Sequence, residues 1–194
     1  MTAVTSTTDA EAGTARGPTP LGVGVVVWLA SELMFFSGLF AAWFTLRAHN
    51  DPWPPEGAEL DVPRTAIATV VLLASSGTMH VATSRAKSGN RRHAVLWLGI
   101  TAALGALFLT NQVIEYVELD FGLDSHAYGS IFYLLTGFHG LHVLGGLFFM
   151  GAVAAAIAGR SLAPAASTVE VCAAYWHFVD VVWIGVFSAV YLIS

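Results

Sequence analysis

An all-α membrane bundle of five transmembrane helices is the fold class this sequence predicts, and three observations lead to it. Hydrophobic residues make up 56% of the 194 and charged residues 11%, with a mean hydropathy of +0.68. Soluble domains carry about 25% charged residues, so the chain is expected to be integral to a membrane. Five apolar runs follow one another at 21–46, 63–84, 93–117, 127–158 and 171–193. Each supplies roughly the 20 residues that a spanning helix needs. The basic residues then fall on alternate links, as a five-span chain requires.

Residues 1–17 are small and weakly acidic, with Asp9, Glu11 and a single basic residue, Arg16. They lack the basic start, apolar middle and small-residue cleavage site of a signal peptide, so a disordered cytoplasmic tail is expected. Residues 18–194 form one membrane domain. Its links, 47–62, 85–92, 118–126 and 159–170, are short enough that consecutive helices should be antiparallel neighbours. No period of 20–50 residues marks a repeat.

Arg85, Lys87, Arg91 and Arg92 crowd the second link, and Arg160 lies in the fourth. The first and third links hold Asp51, Glu56, Glu59, Asp61, Glu118, Asp120 and Asp124, with Arg47 and Arg64 at their margins. Basic links face the cytoplasm, which puts the N-terminus inside and the C-terminus outside. The net charge of −5 and the lack of a basic stripe give no reason to expect nucleic acid as a partner. Cys172, the only cysteine, rules out an internal disulfide and is read as a small buried residue.

Ionisable residues inside these runs are the candidates for function, since a charge at the bilayer centre costs roughly 3 kcal/mol or more. At about 1.5 Å per residue, Glu32 lies roughly 17 Å along the first helix and Asp180 roughly 15 Å from the same face. His139 also comes near the midplane, with His142 one turn closer to the cytoplasm. Glu115 falls at the outer end of the third helix, where the interface should solvate it. In the last run, Tyr175-Trp176-His177-Phe178-Val179-Asp180-Val181-Val182-Trp183 puts His177 and Asp180 three apart on one face. There they can reach each other or a shared neighbour.

Glu32 supports two readings: a satisfied structural acid, or a group handling protons or lipid. His139 and His142 share a face and would suit a metal, but no third ligand has a telling spacing, so helix-to-helix hydrogen bonds are favoured. Trp176 and Trp183 read as packing surfaces, and the six glycines from Gly129 to Gly151 as a closely packed helix. No Glu-x-x-His pair, phosphate loop, His-Glu-x-x-His or Gly-x-Ser-x-Gly is present. Catalytic, cofactor-binding and metal residues are therefore expected to number none.

Several stretches resemble subunit III of the haem–copper respiratory oxidases. They include Ser31-Glu32-Leu33-Met34-Phe35-Phe36-Ser37-Gly38, Trp53-Pro54-Pro55-Glu56-Gly57, Leu72-Leu73-Ala74-Ser75-Ser76-Gly77, Gly89-Asn90-Arg91-Arg92-His93 and Glu115-Tyr116. The most specific are Thr136-Gly137-Phe138-His139-Gly140-Leu141-His142-Val143 and the Tyr175–Trp183 block. The resemblance implies a non-redox subunit of a proton-pumping terminal oxidase in a bacterial cell membrane. Haems and coppers would belong to partner subunits I and II. The subunit would pack on subunit I, bind phospholipid, sustain proton uptake and prolong active-site lifetime. Glu32, His139 and His142 would lie in the internal polar and lipid region, and His177, Asp180 and Trp183 would brace the last helix.

Counterparts of the first two helices of the seven-helix form are missing from the match, so either another chain supplies the missing wall of the lipid cleft or the cleft is open. Cytochrome c oxidase is the favoured complex. A quinol oxidase, an accessory relative of nitric oxide reductase and, from a different class, a stand-alone proton-coupled transporter are the alternatives. A respiratory supercomplex is a further partner the resemblance admits.

Overall fold

The computed structural model describes residues 20–159 and 165–193. The tail expected over residues 1–17, with Arg16, lies outside the described residues, as does Arg160. Five helices run antiparallel in chain order: α1 (Pro20–His49), α2 (Val62–Lys87), α3 (Arg91–Glu118), α4 (Ala127–Ala158) and α5 (Ala165–Phe187). A single π-helical stretch, Ser188–Leu192, continues α5. All five are long and apolar enough to cross a membrane, and no strand occurs among the described residues. The chain is an all-helical, multi-pass membrane protein.

Local chemistry sets the helix starts. Asp61 accepts a hydrogen bond from the Arg64 amide at 3.1 Å, with Pro63 in the first turn where no amide is missed. Asn90 caps α3 through the His93 amide at 3.3 Å, and His126 Nδ1 caps α4 by accepting from the Gly129 amide at 2.8 Å. The α2–α3 link turns at Gly89, whose φ of +75° lies in the left-handed region that glycine enters without a steric penalty.

The helices α2, α3, α4 and α5 close a ring in which each touches two neighbours, and α1 lies outside it against α4 and α5. The sequence led us to expect α1 beside α2, and this is corrected. The α1–α2 link crosses the end of the bundle: Trp53 packs on Trp43 and on Tyr128 of α4, with ring centroids 5.2 and 5.0 Å apart. That anchorage carries the chain over α4 before α2 begins. The end holding the α1–α2 and α3–α4 links is the acidic end, and the opposite one the basic end.

The ring interior is centred on Trp176 of α5, which is fully buried. A Cβ at Gly105 of α3 would lie 2.6 Å from its Cη2, and one at Gly146 of α4 2.8 Å from its Cε3 and Cζ3. Two helices thus approach one indole through glycines, because any side chain would occupy the ring's volume. The Trp176 Nε1–H donates to Ser75 Oγ of α2 at 2.9 Å, so a single residue of α5 touches the other three ring helices.

Candidate functional site

Membrane helices must satisfy their polar side chains internally. Here those side chains fall into tiers rather than one pocket. At the acidic end Glu115 is 3% exposed and accepts three hydrogen bonds. Thr65 Oγ1 donates to Oε1 at 3.2 Å, while Gln112 Nε2 and Tyr191 OH donate to Oε2 at 3.1 and 3.0 Å. The expectation that interfacial water solvates Glu115 is corrected: protein donors enclose it. Tyr191 belongs to the π-helical stretch, whose wider turn rotates the register of the last residues. One turn outward, Arg64 pairs with Glu118 and donates from Nε to Asn111 Oδ1 at 2.9 Å.

Deeper in the ring, Trp183 Nε1–H donates to Thr69 Oγ1 at 2.9 Å. His139, 1% exposed, stands against Trp183 and Phe108 with ring centroids 4.8 and 6.0 Å away. Neither of its nitrogens has a hydrogen-bond partner among the described residues. The helix-to-helix hydrogen bond expected of His139 is thus replaced by contact with aromatic rings. At mid-depth Ser76 of α2 is the shared neighbour of His177 and Asp180. Its hydroxyl donates to Asp180 Oδ2 and lies 2.8 Å from His177 Nδ1, which is placed to donate to it.

Glu32 meets His142 rather than His139, with Oε2 and Nε2 3.0 Å apart. His142 Nδ1 is 2.7 Å from the Phe138 carbonyl, which can only accept, so this nitrogen carries a hydrogen. The pair ties α1 to α4 at their seam. Side-chain exposures of 25% and 18% leave it partly open. Tyr175 OH donates to the His142 carbonyl at 2.9 Å and its ring stacks on Trp28 at 5.1 Å, closing the seam toward the basic end. Beside them a cleft of about 390 Å³ is lined by Trp28, Gly145, Phe149 and Tyr175.

Glu32, His139 and Asp180 thus occupy three separate environments. Among the described residues no three His, Cys, Asp or Glu side chains gather as a metal site. Sequence reasoning missed Thr65, Thr69, Ser75 and Ser76. Their signal was a row of hydroxyls at helical spacing within an apolar run, the usual polar contacts between membrane helices. It also missed Gln112 and Tyr191, for which no composition signal exists.

A multi-pass helical bundle with buried polar ties and a seam acid defines the class, an integral membrane protein. Comparison with known proteins gives the family. The family model for cytochrome c oxidase subunit III matches residues 6–194. Similar proteins include the probable cytochrome c oxidase subunit 3 of Mycobacterium leprae, 44% identical over 181 residues. That alignment covers 91% of this chain and 89% of the relative. The corresponding protein of Nocardia farcinica is 42% identical over the same shares. The cytochrome c oxidase subunit 3 of Thermostichus vulcanus is 40% identical, covering 89% of this chain and 87% of its own. The chain belongs to the cytochrome c oxidase subunit III family, and so to an oxidoreductase complex with other oxidase subunits.

Proposed function

We propose that this chain is the non-redox subunit III of a proton-pumping cytochrome c oxidase in a bacterial plasma membrane. Partner subunits I and II carry the haems and coppers, and this chain packs on subunit I with its basic end in the cytoplasm. The observation that carries the reading is the family match over residues 6–194, together with relatives named for the cytochrome c enzyme. The hydrogen bond between Glu32 and His142, two ionisable side chains within apolar helices and beside a cleft of about 390 Å³, supports a part in proton supply. The last helix is braced by Trp176, His177, Asp180 and Trp183, all tied to hydroxyls of α2.

Gentle purification through a tag on residues 1–17 tests both parts at once. Haem and a haem–copper subunit I should co-purify with the chain. The Glu32→Gln variant should assemble with an unchanged haem spectrum and initial rate, then lose activity sooner over many turnovers. A haem-free, monodisperse chain as the only native form would sink the subunit reading. An assembled variant with wild-type lifetime and pumping would reduce Glu32 to a structural acid.

A further inference from the structure

At the basic end, α3 begins where α4 finishes, and between them lies a crevice of about 440 Å³ lined by Arg91, Arg92, Val95, Ile157 and Ala158. Its lip is cationic and its floor aliphatic. Lys87, on the same rim, is matched by Glu170 at 2.8 Å, whereas no carboxylate among the described residues pairs with Arg91 or Arg92. Both arginines stand in the first turn of a 28-residue helix. Unpaired amides there repel cations and attract anions. The rule that basic links stay in the cytoplasm accounts for the charge but not for an apolar cleft beneath it.

We infer that this crevice seats one anionic phospholipid of the adjacent leaflet, with its phosphate between the two guanidiniums and its upper acyl chain along Val95 and Ile157. Guanidinium forks match phosphate oxygens in pairs of hydrogen bonds, as an ammonium does not. Basic pockets between membrane helices on the cytoplasmic side are suited to anionic head groups. The volume lies within the ~300–1,000 Å³ of small-molecule sites, enough for a head group and the first part of a chain. The site is distinct from the Glu32–His142 seam, and its occupancy does not depend on what that pair does.

The test is native mass spectrometry of the complex purified through this chain, delipidated and then titrated with dioleoyl phosphatidylglycerol or dioleoyl phosphatidylcholine. The unaltered complex should retain one phosphatidylglycerol that phosphatidylcholine does not replace. R91Q/R92Q should bind it about 30-fold more weakly, while R85Q, outside the crevice, binds normally. Equal retention by R91Q/R92Q, or equal retention of the zwitterionic lipid, overturns the assignment. A photo-crosslinking benzoylphenylalanine at Val95, with both arginines intact, decides the matter if the double variant does not assemble. A phospholipid adduct supports the site, and an adduct to another subunit shows a protein occupant and overturns it.

Discussion

The indole of Trp176 makes the glycine at position 146 a test of the whole packing arrangement. An alanine there would bring its Cβ to 2.8 Å from Cε3 and Cζ3 and 3.2 Å from Tyr175 Cε1. Carbon atoms rest at about 3.5–4.0 Å, so the ring must retreat by roughly 0.7–1.2 Å. It has nowhere to go. Gly105 of α3 abuts its far edge, and the hydrogen bond to Ser75 holds its Nε1. Overpacking of this kind costs about 1–3 kcal/mol, against a helix gain of about 0.5–1 kcal/mol from replacing glycine.

Trp176→Leu removes the obstructing ring, so in that background only the helix gain should remain. The double-mutant cycle cancels propensity and isolates a coupling of about 1–3 kcal/mol. At about 2–4 °C per kcal/mol for a chain of this size, the midpoints should be non-additive by some 2–12 °C. The assay is loss of the chain from the purified complex along a temperature ramp, read on native gels. Gly99→Ala, where an added Cβ meets nothing within 4 Å, is the control and should not destabilise. If Gly146→Ala shifts the midpoint equally in both backgrounds, the indole is not wedged between α3 and α4 and the packing account fails.

At Glu115, an amide nitrogen can replace Oε1 because the Thr65 hydroxyl can turn and accept, so Glu115→Gln should cost about 1 kcal/mol or less. Glu115→Leu strands the donors of Gln112 and Tyr191 in the core and should cost about 2–6 kcal/mol. Thermal midpoints that fail to separate the two variants would mean that these hydrogen bonds are not made. For orientation, a cysteine at Glu56 should react with an impermeant thiol reagent in intact cells, and one at Lys87 should not. The native Cys172, 1% exposed, gives no background, and the reverse pattern would invert the assigned sidedness.

The count of spans was legible because hydrocarbon imposes length and composition on every helix that crosses it. The positions of the candidate acids along their helices were legible for the same reason. What each acid touches was not. His139 and His142 are three residues apart, about 60° around a helix. That small rotation turns one into the ring and the other toward α1. Choosing between them requires knowing that α1 packs on α4, and this depends on the Trp53 anchorage. Tyr191 was hidden differently: the wider π turn alters the helical register on which the sequence reading relied. The hydroxyl row on α2 was visible but weak, since serines and threonines are common in membrane helices and become informative only opposite a tryptophan.

The ring closed by α2 and α5 also bears on how the chain is made. Ser75, Ser76 and Thr69 find their partners on Trp176, Asp180 and Trp183, which lie 101, 104 and 114 residues later. Glu32 waits 110 residues for His142. At about 5–20 residues per second, these partners arrive roughly 5–23 s later, and in that interval Thr69 and Ser75 can donate only to carbonyls of their own helix. A ribosomal product that stops before the last helix therefore leaves Ser76 without His177 and Asp180, and α1 with only part of its seat. Completion of the polypeptide is itself the signal that the bundle can close, and a truncated chain would display the exposed polar groups that membrane proteases and chaperones recognise.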